Sequence, residues 1–287
     1  MTTSISWTNE TWNPLVGCSK LSVGCQKCYA AEAAKSARLQ QFPQYQKVKD
    51  WDGTIEFVEN QLLKPLSWRS PKKVFVCSMS DTFHANVKDE WLDQIFAIMA
   101  IACQHTFQIL TKRPERMQQY LSDPVTVDRI KKAGYEFTHN MDCLNNWPLP
   151  NVWLGTSVEN QKAADDRIPS LLKTPAVLHF LSCEPLLEQV NLSDFLSHTM
   201  RQWVIIGGES GPGARPCHID WIRSLVQQCQ QTKTAAFVKQ LGSQAIDSSP
   251  YIDGVVQNHF QVKLKSRKGG DISEFPLDLQ VREFPRW

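Results

Sequence analysis

From Lys73 onward, short continuous apolar runs rich in β-branched residues alternate with stretches that carry apolar residues at helical spacing. The runs are VFVCSMSD (74–81), FQILTKR (107–113), VWLGTSVEN (152–160), AVLHFLSCE (176–184), WVIIGGES (203–210) and AAFVKQ (235–240). Four helical stretches lie among them: DEWLDQIFAIMAIAC, PERMQQYL, QKAADDRIPSLL and HIDWIRSLVQQCQQ. Continuous apolar runs suit strands covered on both faces, and strand followed by helix, repeated, predicts parallel strands joined by right-handed crossovers. Six runs, with one more strand beside the N-terminal cysteines, predict an α/β fold: an incomplete (β/α) barrel of about six to seven parallel strands. A doubly wound open sheet is the other arrangement this alternation allows.

Outside that region the pattern is less regular. YAAEAAKSARLQQF (29–42) is dense in alanine with no interior Gly or Pro, which predicts a helix stopping before Pro43 with Ala30, Ala33, Ala34 and Ala37 on one face. VENQLLKPLSW predicts a short helix ending near Pro65. Residues 122–151 interrupt the alternation with Gly134, Asp142, Asn145, Asn146 and Pro148, and read as an insert or lid. Residues 1–245 form the expected barrel and 246–287 a C-terminal appendage. That appendage has strand-like alternation at Phe260, Val262 and Leu264, and four positive charges between Lys263 and Lys268.

Composition narrows the class. A chain of 287 residues with 42% hydrophobic content can bury a large core, and a net charge of +2 argues against a strongly electrostatic nucleic-acid binder while leaving room for a local basic groove. The N-terminus MTTSISWTNETW has no apolar core of a signal peptide, and no run of about 18 apolar residues is long enough to cross a bilayer, so a cytoplasmic protein with no membrane partner is expected. Nine cysteines, an odd number, then favour reduced or metal-bound thiols over a disulfide scaffold.

Three of those cysteines carry the clearest chemistry. Cys18, Cys25 and Cys28 have the spacing C-x₆-C-x₂-C in the stretch WNPLVGCSKLSVGCQKCY, and Gly17 and Gly24 directly precede the first two. Glycines let a short loop fold back so that sulfurs converge. A structural zinc site takes four protein ligands, and no fourth donor lies nearby in sequence, the next candidates being Cys77 and His84. A cubane held by three cysteines keeps one iron open to a small molecule. Zinc completed by a distant side chain such as Cys77, or three metal-free thiols, are the competing readings.

Such a loop, with an aromatic residue beside the last cysteine and a helix after it, resembles the cluster loop of the radical SAM superfamily, although six residues rather than the usual three separate the first two cysteines. Nearly the whole chain resembles an uncharacterised family of phage and bacterial proteins, through SWTNETWNPLVGC, SVGCQKCYA, SMSDTFH, FQILTKRPERM, LPNVWLGTSVENQ, FLSCEPLL, VIIGGESGPGARP and KGGD. The resemblance implies a radical-SAM-like partial barrel and a 4Fe-4S cluster on Cys18, Cys25 and Cys28. It also implies S-adenosylmethionine as cofactor and an electron donor as partner. The superfamily's Gly-Gly-Glu segment follows its second strand. Here Gly207-Gly208-Glu209 follows the sixth, and Ser78, Ser80 and Asp81 occupy the second-strand position.

Active sites of parallel barrels lie at the C-terminal ends of the strands, and every run here ends in polar groups. Tyr29, Ser78, Ser80, Asp81, Ser157, Glu159 and Glu209 are expected to bind cofactor; Lys112, Cys183 and Glu184 are the expected catalytic groups. Arg215 is suited to pair with a carboxylate or phosphate, and Lys112-Arg113 with phosphate or with helix-start acids. The expected function is reductive cleavage of S-adenosylmethionine acting on an unidentified substrate of the nucleic-acid or nucleotide class. The alternative is a non-catalytic, metal-stapled nucleic-acid-binding module.

Overall fold

A computed structural model of the chain describes residues 3–198, 201–248 and 259–286. The first half runs through β1 (Glu10–Trp12), β2 (Leu15–Val16), α1 (Tyr29–Ala34), α2 (Pro43–Lys47), β3 (Glu56–Phe57), α3 (Glu59–Leu62), β4 (Lys73–Val76), α4 (Asp89–Ile101), β5 (Thr106–Thr111), α5 (Pro114–Ser122) and α6 (Thr126–Gly134). It continues with β6 (Val152–Ser157), α7 (Gln161–Lys173), β7 (His179–Cys183), β8 (Gln202–Gly207), β9 (Cys217–His218), α8 (Ile219–Gln231), β10 (Ala235–Gln240), β11 (Ala245–Ser248) and β12 (His259–Gln261). Seven strands form one all-parallel sheet in the order β1-β4-β5-β6-β7-β8-β10, the order of an incomplete (β/α) barrel. All six apolar runs supply strands, and β1 is the seventh, five residues before Gly17. Burial explains why these runs were legible: β6, β7 and β8 are buried along their whole length, so they carry no polar alternation.

The chain divides into two compact units, Met1–Thr156 with Ser170–His179, and Ser157–Pro169 with Phe180–Trp287. In the first unit α4 turns Leu92, Ile95, Phe96, Ile98 and Met99 inward, each almost fully buried and worth roughly 1.5–3 kcal/mol. Asp89 and Glu90 in its first turn complement the helix dipole. The stretch expected to be an insert or lid contains α6, which Arg129 ties to α4 by bringing its Nε to 3.3 Å from the buried Asp93, a carboxylate that also accepts from Tyr120 Oη of α5 at 2.7 Å. The expected helix over 29–42 ends at Ala34. Gln40 Nε2 donates to the Ala34 carbonyl (2.6 Å) and to that of Tyr45 (2.9 Å), closing the chain into a turn. The small residues Ala30, Ala31 and Ala34 pack with Val16, Val48 and Met79 under the cysteine loop.

In the second unit α8 packs Ile219, Ile222, Leu225, Val226 and Cys229 inward, and Phe180, Trp203, Phe237 and Phe284 form an aromatic cluster with centroid separations of 5.4–6.0 Å. The appendage pairs β11 with both β9 and β12, then returns along β10. Val238 N donates to Val281 O and Glu283 N to Ala236 O, both at 2.8 Å. The strand expected near Phe260 is β12; residues 255–258 of that stretch lie outside the described residues. Lys263, Lys265, Arg267 and Lys268 are exposed.

Candidate functional site

The cysteine loop is held by a framework of polar contacts within the first unit. Gly17 has φ +96°, and a Cβ there would lie 2.2 Å from the Thr54 carbonyl oxygen, so only glycine makes this turn into Cys18. Gly24 lies in a 3-10 turn, Val23–Cys25, and is not among the positive-φ glycines. Gly17 N donates to Met79 O (3.0 Å), Ser80 Oγ donates to Gly17 O (2.6 Å), and Gly53 N donates to Cys18 O (3.1 Å). The loop is thereby laid across the turn that follows β4. Asn13 Oδ1 accepts from Ser78 Oγ and Met79 N, both at 3.1 Å, and fixes that turn from the other side.

Asp81 anchors the arrangement. Its carboxylate accepts from Thr111 Oγ1 (2.6 Å), Phe83 N (3.0 Å), Lys112 N (3.1 Å) and Arg113 Nη1 (2.8 Å). The same guanidinium reaches the cysteine loop, with Nη1 3.9 Å from Cys18 Sγ and Nη2 3.1 Å from Ser19 Oγ. Ser19 Oγ also meets His84 Nε2 at 2.8 Å. Because Asn86 N donates to His84 Nδ1 (3.1 Å), the neutral ring carries its proton on Nε2 and donates it to Ser19. Arg113 therefore links the end of β5, the turn after β4 and the first cysteine.

Cys18, Cys25 and Cys28 are all half-buried, and the first two differ in their tendency to ionise. Burial pushes the Cys18 thiol up to about 12, with Asp81 adding and Arg113 opposing. Burial also resists ionisation of Cys25, but the Lys112 ammonium, the backbone at Leu21 and Ser22, and the Ser22 hydroxyl outweigh it and lower its pKa. Neighbouring basic residues at one strand end thus serve two thiols of one loop. Tyr29, with its ring largely exposed, donates from Oη to Ser78 O (2.7 Å). Among the described residues no three His, Cys, Asp or Glu side chains converge on one point, so a group held by this loop has to draw the three sulfurs together. The loop residues whose side chains could hold a metal are the three half-buried thiols of Cys18, Cys25 and Cys28.

The second unit holds the other strand-end groups in ion pairs. Glu159, fully buried, is gripped by Arg167 Nη1 (2.7 Å) and Nη2 (3.2 Å), and Arg167 also donates to Ser157 O (2.8 Å). Lys239 Nζ donates to both Glu184 oxygens (2.6 and 2.8 Å). Arg215 binds Glu209 through its backbone N (2.8 Å) and its guanidinium. Gly208 lets the chain after β8 lie against the chain after β10, since a Cβ would lie 2.3 Å from Leu241 O and 2.9 Å from Cys217 Cβ. Cys183 is fully buried and its thiol is pushed up by burial.

The family described as a protein of unknown function, DUF5131, matches residues 2–275, a span that includes the cysteine loop and all the strand-end groups. The chain belongs to the DUF5131 family. No curated protein and no solved structure matches it. Within this DUF5131 chain, the structure brings Cys18, Tyr29, Ser78, Ser80, Asp81 and Lys112 into one connected neighbourhood. It places Ser157, Glu159, Cys183, Glu184 and Glu209 in the second unit. Sequence reasoning missed Asn13, Ser19 and Arg167, and considered His84 only as a distant metal donor, whereas it is hydrogen-bonded to Ser19 and Asn86. Their partners lie up to 94 residues away or depend on a helix face, and only the SMSDTFH stretch flagged the vicinity of His84.

One pH dependence follows. Burial lowers the imidazole pKa of His84, with Arg113 contributing, and burial likewise lowers His105 and His179 below the ordinary 6.5. These rings stay neutral in the fold while the unfolded chain takes up protons, so stability is full above about pH 6.5 and falls as pH drops below it. Urea titrations across that range should show this decline, with a shallower slope for His84→Gln. An identical slope in the variant removes His84 from the account.

Proposed function

We propose that this protein is a radical-SAM-like iron–sulfur enzyme, with Cys18, Cys25 and Cys28 as ligands of a 4Fe-4S cluster and S-adenosylmethionine as its cofactor. The observation that carries the reading is the placement of Arg113 and Lys112, consecutive at the end of β5, beside Cys18 and Cys25 respectively. When bound, a three-cysteine cluster supplies an electron and an iron position open to a small chelating ligand. The chain's own residues supply the rest. Arg113, anchored by Asp81, donates toward the Cys18 sulfur, and hydrogen bonds of that kind tune a thiolate ligand. Lys112 places positive charge beside Cys25. Tyr29 offers an exposed ring, tethered through Ser78, against which a planar group can pack.

Anaerobically purified protein is expected to contain about four irons and four sulfides per chain. Its reduced electron paramagnetic resonance signal is expected to shift on adding S-adenosylmethionine and to vanish in Cys25→Ala. Zinc in place of iron, or a signal indifferent to the ligand, overturns the reading. A second reading, a metal-stapled nucleic-acid-binding module, is favoured by the exposure of Lys263, Lys265, Arg267 and Lys268. It predicts metal needed for folding alone.

A further inference from the structure

The second unit has a groove of about 930 Å³ at the N-terminal ends of β8 and β10, where Gln202 and Ala235 begin their strands, between the end of α8 and the returning tail. This is the strand end opposite the one that bears Glu184, Glu209 and Lys239. Four basic side chains line it, Arg201, Lys233, Arg282 and Arg286, against a single acid, Glu283. Arg282 is committed to the fold: its guanidinium donates to the carbonyls of Val238 (3.2 Å), Lys239 (3.1 Å) and Gly270 (2.7 Å). Arg201, Lys233 and Arg286 are exposed.

The negative end of α8 points toward the same region and would oppose an anion if its carbonyls were bare. They are not. Thr232 N and Oγ1 both donate to Gln228 O, Thr232 Oγ1 also reaches Cys229 O (3.2 Å), and Lys233 N and Thr234 N donate to Gln230 O and Cys229 O. Three of the last four carbonyls of α8 thus already have donors, and in the groove lining four cations stand against one acid. Half-buried Phe284 and Pro285 add apolar wall, Phe284 being steadied by Trp203 and Phe237 at 5.4 Å.

Spaced cations beside an aromatic wall suit a ligand with repeating phosphates and flat, stackable bases. A lone phosphate uses only the charge, and an acidic peptide has no use for the ring. We infer that this groove binds single-stranded nucleic acid, with Arg201, Lys233 and Arg286 on the phosphates and Phe284 against a base. The inference stands apart from the cysteine loop and from the proposed enzymatic reading.

The test is fluorescence anisotropy of the full chain with a labelled oligothymidine of about ten nucleotides, a length within the range bound by single-strand grooves. Three phosphate contacts predict that affinity falls roughly twentyfold between about 50 and 200 mM salt. The variant Lys233→Gln/Arg286→Gln is expected to bind at least tenfold more weakly with a melting temperature close to the parent's and a shallower salt slope. Lys49→Glu/Lys132→Glu, which reverses two exposed charges of the first unit, is expected to bind as the parent does, and Lys265→Glu/Arg267→Glu separates this groove from the basic segment of the second reading. The inference fails if the parent does not bind, or if the groove variant binds equally well. It also fails if binding is lost only in the Lys265/Arg267 variant, or if polyglutamate or free ATP competes as effectively as unlabelled oligothymidine.

Discussion

Arg167→Met should lower the unfolding free energy by about 3–5 kcal/mol, read as a drop in the urea midpoint with an unchanged slope. The size follows from what is left behind. Glu159 is fully buried, its two oxygens are held by the two guanidinium nitrogens, and the Ser157 carbonyl shares one of them. Removing the cation strands a carboxylate with no water to replace it, and the desolvation cost then falls on one group. Replacing both partners, as Glu159→Gln with Arg167→Met, removes the stranded charge but still leaves the Ser157 carbonyl without its donor. The double variant should therefore recover about half of the loss, remaining about 1–3 kcal/mol below the parent. If the single variant is as stable as the parent, the pair is not buried as described.

Gly17→Ala should have the second large effect, about 2–4 kcal/mol, from strain at a backbone angle closed to side chains and from the clash with Thr54 O and Val48 Cγ1, 2.2 and 2.8 Å from the added carbon. Its functional consequence is separable from its thermodynamic one. The loop entering Cys18 has to shift, so on the proposed cluster reading the iron retained after anaerobic gel filtration should fall even at temperatures where the variant is folded. Gly24→Ala, in the 3-10 turn, provides the comparison and should retain iron. Equal iron retention in the two variants would mean that the turn at Gly17 does not position the first cysteine.

The contrast between these two sites shows what the sequence made legible. The strands were readable because a parallel strand covered on both faces leaves an uninterrupted apolar run, as in WVIIGG, and the helices between them kept their spacing. Gly17 and Gly24 read alike in the sequence, each directly before a cysteine, and only Gly17 takes a positive φ, because the Thr54 carbonyl that crowds it comes from a distant part of the chain. Arg167 was not readable, because its purpose lies one helical turn back across a loop, at a glutamate that looked like a ligand-binding group. Ser19 and His84, 65 residues apart, likewise come together only through the crossover that lays the cysteine loop on the turn after β4. Helix α1 was overextended for a related reason. Alanine content favours helix anywhere, whereas its end is set by Gln40, a side chain acting on carbonyls that no local pattern reveals.

The returning tail has a consequence for how the chain is handled. β10 is the last strand of the seven-stranded sheet, and residues 281–283 lie along it, with Phe237 bridged to Arg282 and the neighbouring amides and carbonyls occupied. A row of free backbone donors and acceptors beside Phe237 and Val238 is a template for any other extended chain. The tail acts as a built-in gatekeeper. Shortening the protein before Val281, or a fusion that pulls the tail away, uncovers a sticky margin on which another extended chain can pair.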